Sequence, residues 1–451
     1  MNAQKDRLTG IDLFLSHYSE IERQISGNGQ AWFQGIRRHA IDRFAELGIP
    51  TTRAEDWKHT NLSPLTRISF SPAAAEARQV DEARARLDEF TFGGWDAHRI
   101  VFVNGRFSEE LSSLGGLRDG VKLTSLAKAL NSERESVEPH LGKYACHQEH
   151  PFVALNTALM RDGAFVCIPP GLVLEKPLHL LFVTAGEENT PVVSHPRNLI
   201  VCGSASEVRI VESYVGCAGE VYLTNAVTEI AVGEGAVVDH YRLQQEKEEA
   251  FHLATVQIHQ ERDSHLTTHV ISTGSALNRN DVTSVLDGEG ITCKMQGLFL
   301  TAGHQHVDNH TLLDHAKPHC SSRELFKGIL DDKSSGAFTG RVVVRPNAQK
   351  TDSMQSSRNL LLSDSATVDP DPQLEIYADD VKCTHGATVG QLDPDAVFYL
   401  RTRGIDEAAA RGLLTYAFAN EVIEQIRIGP LRDHLEGFIA KRYRKEAFKE
   451  G

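Results

Sequence analysis

From about residue 161 to residue 396 the chain is written in short β-rich runs separated by Gly, Asn and Asp turns, with no apolar period of helix length. Two of these runs echo each other. Ile200–Val208 reads IVCGSASEV and Ile230–Val238 reads IAVGEGAVV, so that Gly203 and Gly233 stand 30 residues apart. A repeat of that length, made of strand-sized pieces, suits a solenoid. One coil cannot bury its own apolar face, and the next coil covers it. A β-sandwich fits the same composition nearly as well, so the pattern by itself leaves both folds open.

On either side of this span the apolar period becomes helical. Ile11, Phe14, Leu15, Tyr18 and Ile21 recur at spacings of three and four, as do Phe33, Ile36, Ala40, Phe44 and Leu47. Gly48 and Pro50 then supply a stop signal. Trp57 is expected to anchor the loop that follows by packing. A short strand at Ile100–Val103 runs into the Asn104-Gly105 turn signal. At the other end Asp406 is a candidate N-cap. Leu414, Phe418, Val422 and Ile426 form a four-spaced stripe, Gly429-Pro430 breaks it, and Leu431, Leu435, Phe438, Ile439 and Tyr443 form a second. Two short helices with such stripes must dock on the core, on a partner, or on both.

The segment YADDVKCTHGATVG, Tyr377–Gly390, carries the chemistry. On a strand, residues i and i+2 share a face, which puts the Cys383 thiol and the His385 imidazole side by side with Val381. Thiolate is the soft ligand that iron–sulfur chemistry requires, and imidazole can join it. Two ligands do not complete a site, so the remainder must come from elsewhere, such as a second chain. The competing reading is a packed, inert cysteine. A second candidate is GHQHVDNHTLLDHAKPHC, Gly303–Cys320, with His304, His306, His310, His315, His319 and Cys320. A mononuclear metal site is one reading of it, and histidines that serve only as hydrogen-bonding groups along turns and coils is the other. Cys146-His147 with His150 is a weaker candidate in a polar stretch.

Other functions are disfavoured by what the chain lacks. Its formal net charge of −14 offers no basic footprint for nucleic acid. Seven cysteines with no CxxC make neither a disulfide framework nor a zinc finger. No apolar run approaches the roughly 18 residues of a membrane span, and MNAQKDRLTG at the N-terminus has no signal-peptide core, so a cytoplasmic protein is expected. The Gly-rich pieces GEGAV and DGEGI lack the Lys-Ser/Thr ending of a phosphate loop. There is no Gly-x-Ser-x-Gly elbow and no HExxH.

An ordered series of motifs resembles the SufB/SufD family of iron–sulfur cluster assembly proteins. It comprises KGILDD (Lys327–Asp332), GAFTGRVVV (Gly336–Val344), AQKTDSMQSSRNLLLS (Ala348–Ser363), PQLEIYADDVKCTHGATVGQLD (Pro372–Asp393) and FYLRTRGI (Phe398–Ile405). Fainter matches are LGIPTTRAEDWKHTNL (Leu47–Leu62) and VNGRFS (Val103–Ser108). SufB-type members carry a cysteine in the segment matching Ser357–Asp364 and a HEAT sequence near Thr384–Thr388. Here these read SRNLLLSD and CTHGAT, the SufD-type pattern.

The resemblance implies a mostly β protein, with a right-handed parallel β-helix-like core over 161–396 between a mainly helical N-terminal domain, 1–160, and a C-terminal helical partner-docking domain, 397–451. It implies a non-catalytic scaffold that supports de novo cluster formation and iron acquisition. A transient iron–sulfur cluster would form at the interface with a SufB-like subunit, and a SufC-like ABC ATPase would dock on the C-terminal helices, with Leu414, Phe418, Val422 and Ile426 as the contact stripe. No stable cofactor is expected in the isolated chain, and a homodimer is the alternative assembly when partners are absent. Cys383 and His385 become the cluster-proximal groups, His385 the stronger of the two because neutral imidazole can complete a site supplied mainly by the partner. The rivals are a β-helix enzyme, such as a lyase or acyltransferase, and a purely architectural subunit.

Overall fold

The computed structural model describes residues 9–25, 31–186, 190–217 and 221–444, so most of the N-terminal MNAQKDRLTG lies outside the described residues. Its centre is a parallel β-solenoid of about seven turns, and strand exceeds helix by 40% to 26% of the chain, which makes the fold mostly β. One sheet stacks the strands Arg197–Cys202, Tyr222–Val232, Phe251–Gln260, Leu277–Leu286, His306–His315, Ser335–Val344 and Thr367–Ile376. The other stacks Glu207–Gly216, Val237–Gln245, His265–Ser272, Thr292–Thr301, Ser321–Leu330, Asp352–Leu361 and Lys382–Gly390. Successive strands alternate between the sheets, and each pairs in parallel with the strand one coil away.

The 30-residue echo is one such step. Ile200 faces Ile230 in register, and the Gly233 N–H donates to Cys202 O at 2.9 Å. A Cβ on Gly233 would sit 2.9 Å from that same oxygen, so glycine is needed where the coils touch at this corner. Within the solenoid, alternate residues point to the lumen. In Leu277–Leu286 the side chains of Asn278, Asn280, Val282, Ser284 and Leu286 are buried, while Asp281, Thr283 and Val285 are only half-buried.

The two ends of the solenoid differ. At the N-terminal end each sheet is closed by an antiparallel strand, Arg106–Ser113 on one and Lys122–Ser125 on the other. The helices Gly10–Ile25, Ala31–Leu47 and Pro151–Leu159 pack beside this end through Phe14, Phe44, Trp57 and Leu155. Trp57 anchors as expected. It is buried, lies against Phe152, and carries the Arg279 guanidinium 3.8 Å above its ring. At the C-terminal end the last strand of each sheet, Thr367–Ile376 and Lys382–Gly390, has a partner on one side only.

After Lys382–Gly390 come the helices Pro394–Thr402, Glu407–Ile423 and Gly429–Arg444. Asp406 does cap the second, accepting the Ala409 N–H at 2.9 Å. The four-spaced stripe is not the free docking surface expected of it. Val422 and Ile426 are fully buried against Tyr241, Leu298 and Ile329 on the outer face of the solenoid. Leu414 and Phe418 are half-buried, and Lys327 Nζ covers the Phe418 ring at 4.1 Å. The sheet's outer face is itself apolar here, so the stripe fastens the helices to their own core.

Candidate functional site

The open end of the solenoid brings the sequence-level candidates together with two groups that sequence reading missed. Cys383 and His385 both lie on Lys382–Gly390, and their positions alternate with Lys382, Thr384 and Gly386. Cys383 is half-buried and packs with Val381 against the main core. Burial raises its thiol pKa above the ordinary range, Asp352 adds to the rise, and a backbone hydrogen bond at Ser353 opposes it. His385 is exposed. In register below Cys383 lies Ser353, and below His385 lies Gln355. One coil further in, Gln355 stands over Glu324.

Gln355 and Glu324 are both buried, and Gln355 Nε2 donates to Glu324 Oε2 at 2.6 Å. A Cβ on Gly340 would come within 2.3 Å of that Nε2, so a glycine across the lumen makes room for the pair. Glu324 is held as a carboxyl with a pKa pushed up to about 7, from an ordinary 4.5, because burial disfavours its charged form more than its hydrogen bonds restore. The signal that would have found the pair is the coil period itself. Stepping inward from His385 one coil at a time reads Gln355, then Glu324.

This carboxyl has a consequence for stability. The folded state keeps the proton up to about pH 7, while the unfolded chain releases it near 4.5. Between those values the native state binds more protons, so stability falls as pH rises through the window and levels off above it. A shift of this size corresponds to about 3 kcal/mol. Urea unfolding at pH 5 and pH 8 is the check. The pH-dependent loss should shrink by about that amount in Glu324→Gln, which should also be the more stable protein at pH 8. An unchanged slope would place the carboxyl in its ordinary range.

The two outermost strands are not equivalent as edges. In a parallel ladder, both backbone groups of every second residue face one neighbour. The Lys382 N–H bonds inward to Thr351 O, so Cys383, His385, Ala387 and Val389 turn their N–H and C=O groups to the free side. On the other sheet the Thr367 and Tyr377 N–H groups bond inward, so the even positions face out, and Pro370 and Pro372 blunt them. The unblunted edge is the one that carries Cys383 and His385. Ile376, Tyr377 and Val389 add exposed apolar surface around it.

The Gly303–Cys320 histidines do not converge. His306 bonds to Ser335 Oγ at 2.7 Å and to Thr60 Oγ1 at 3.2 Å. His310 meets Asp308 at 3.1 Å, on the outer face. His315 points into the lumen, to Ser322 Oγ at 2.9 Å. His319 sits in a turn with φ of 60°, and Cys320 is buried in the core. These residues fall on both faces and at the corners of one coil, so the metal-site expectation is replaced by separate hydrogen-bonding roles. Cys146 is exposed, and His147 Nε2 meets His39 Nδ1 at 3.1 Å. Among the described residues no three His, Cys, Asp or Glu side chains assemble as a metal site. Cys383 and His385 lie at the open end of the solenoid, on a strand with no neighbour on its outer side.

Comparison with known proteins meets this geometry from the other side. The SufBD core domain of the SUF system for FeS cluster assembly matches residues 182–418, and the SufBD protein N-terminal region matches 10–180. The chain belongs to the SufBD family. An iron–sulfur cluster assembly SufBD family protein of Synechocystis is 36% identical over 97% of both chains. The iron–sulfur cluster assembly protein SufD of Escherichia coli is 31% identical over 89% of this chain and 91% of its own. SufB of Bacillus subtilis is 26% identical over 88% and 86%. The solenoid is thus the SufBD core, and the role of the family is iron–sulfur cluster assembly. Among the described residues no helix is long and apolar enough to cross a membrane.

Proposed function

We propose that this chain is the SufD-type scaffold subunit of a cytoplasmic SUF assembly complex, and that a nascent iron–sulfur cluster forms where its open solenoid end meets a SufB-like subunit. The observation that carries this reading is the coincidence of three features on one strand. Lys382–Gly390 is an unpaired, unblunted edge, it holds Cys383 and His385, and it is framed by exposed Ile376, Tyr377 and Val389. An unpaired edge of this kind invites a strand from another chain, whose backbone groups would pair with it. The pairing would bring the partner's ligands alongside a site that this chain fills only by half. The cluster is cargo here. His385, exposed and free to turn, would take part as neutral imidazole, and Cys383 as thiolate once metal displaces its proton.

Nucleotide hydrolysis would belong to a SufC-like ABC ATPase. With Val422 and Ile426 spent on the core, its docking surface would be the outward side of the C-terminal helices, where Phe398 and Tyr399 stand exposed. Without partners, two copies could pair through the same edge as a homodimer. The rival enzyme reading draws less support. The outer-face cleft of about 400 Å3 beside Trp57 does contain Arg279, Asp281 and His310. Arg279 is already spent on Asp281 at 2.8 Å and Asp308 at 3.0 Å, and its donation to Asp56 O at 2.6 Å holds the N-terminal segment to the sheet.

The test is coexpression with a SufB-like subunit and a SufC-like ATPase. A stable complex that gains iron and acid-labile sulfide when given ATP, iron and a sulfur source, while this chain alone holds neither, is the expected result. Absence of a complex, or turnover of a polysaccharide or acyl substrate by the isolated chain, would overturn the reading.

A further inference from the structure

Far from the open end, a cleft of about 790 Å3 lies between the helix Gly10–Ile25, the segment 72–76 and the hairpin that carries Arg106. It shares the wall residues Pro72, Ala73 and Arg161 with an adjoining narrow shaft that has room for about 30 Å3. That is space for a group the size of a carboxylate, since one water needs roughly 10–15 Å3. One group that lines the shaft, His195, has a ring nitrogen with no partner, and its tautomer follows from its neighbour. Asn225 Nδ2 donates to Phe152 O at 3.0 Å, which fixes its amide, and the same nitrogen lies 3.2 Å from His195 Nδ1. His195 Nδ1 therefore accepts, and the proton of the neutral ring is on Nε2. That Nε2 is buried and has no partner. Burial holds the ring neutral, with its pKa down to about 3.

Arg161 lines both cleft and shaft, half-buried. Among the described residues neither it nor the neighbouring Arg106 has a carboxylate within ion-pair distance. The shaft has no carboxylate in its lining. The outer cleft has four, Glu20, Glu76, Glu109 and Glu110, of which Glu110 is bridged to Arg84. The carboxylates are thus confined to the outer cleft, beside Arg106, while the shaft holds Arg161 and His195 and no acidic group. A buried N–H without an acceptor costs free energy, and an arriving oxyanion would relieve it.

We propose that this cleft binds a small zwitterion, an amino acid or a short peptide, with its carboxylate in the shaft on Arg161 and His195 Nε2–H and its ammonium among Glu20, Glu76 and Glu109. A phosphate suits the site less well, because it would bring more negative charge and more bulk past the outer carboxylates into a carboxylate-sized space. The experiment is calorimetric titration of the full chain with glycine, triglycine, triglycine amide and inorganic phosphate. Triglycine or glycine should bind, and whichever is tighter tells whether a peptide or a single amino acid is taken. The amide should bind about tenfold or more weakly, as should triglycine to Arg161→Gln. Exposed Arg106→Gln should weaken binding by about threefold and serves if the first variant fails to fold. Equal binding of the amide, tighter binding of phosphate, unchanged affinity in either folded variant, or no heat from either zwitterion would overturn the proposal.

Discussion

Ala387→Pro is expected to abolish co-purification with the SufB-like subunit while leaving the chain itself folded. Ala387 lies mid-edge on Lys382–Gly390, and its N–H faces the free side, so proline there removes no hydrogen bond of the solenoid ladder. Gly386 before it tolerates the backbone restriction that proline imposes. What proline removes is a donor in the middle of the edge offered to a partner, and its ring stands where the partner's strand would run. With only four outward N–H groups on this strand, at Cys383, His385, Ala387 and Val389, the loss should weaken association by about a hundredfold. Val389→Asp, which places a charge on the exposed apolar rim, should act in the same direction. Size-exclusion chromatography of the coexpressed subunits reads the effect, and a melting temperature within a few degrees of the parent shows that it is local. A complex that survives both substitutions would mean that the partner sits elsewhere.

Glu229→Ala should cause the largest loss of stability in the chain. Its carboxylate is fully buried and accepts four hydrogen bonds. Three come from the backbone of the loop at Gly142, Tyr144 and Ala145, at 2.9, 3.0 and 2.9 Å. The fourth comes from Arg197 Nη2 at 2.6 Å, and Arg197 is itself fully buried. Truncation leaves a buried guanidinium without its counter-charge, which by itself costs about 3–5 kcal/mol. Each backbone N–H left unpaired adds about 1–3 kcal/mol before relaxation. A stability of only about 5–15 kcal/mol leaves little margin against that sum. Glu229→Gln keeps an acceptor oxygen and should cost less. Urea unfolding of both variants is the measurement, and a loss under about 1 kcal/mol for Glu229→Ala would contradict the assigned role.

The solenoid, once the family resemblance set aside the sandwich, and the placement of Cys383 beside His385 on one strand were legible in the sequence for identifiable reasons. Coil stacking imposes a near-constant offset between equivalent corners, and Gly203 with Gly233 displayed it because only glycine fits that contact. The i, i+2 relation of Cys383 and His385 needed only strand parity. The buried Gln355–Glu324 pair was not visible, because it is related to His385 only through a register that spans whole coils. The C-terminal stripe misled for a related reason. A helix pattern states that a face is apolar and not what covers it, and Val422 and Ile426 are covered by a sheet whose outer face is apolar at Tyr241 and Leu298. The Gly303–Cys320 histidines look clustered in sequence, yet a strand sends alternate residues to opposite faces and a turn sends the rest elsewhere.

Cluster yield in the His385→Ala complex tests the central claim most directly. The side chain is exposed at the solenoid mouth, so its loss should shift the melting temperature little. Iron and acid-labile sulfide are measured on the reconstituted complex of each protein, together with its melting temperature and subunit ratio. The expected result is an intact, equally stable complex whose iron and sulfide fall by about tenfold or more, a fall deepened when Cys383→Ser is added. Full iron and sulfide in the double variant, or a loss that only tracks lowered stability, would contradict a cluster formed at this end of the solenoid.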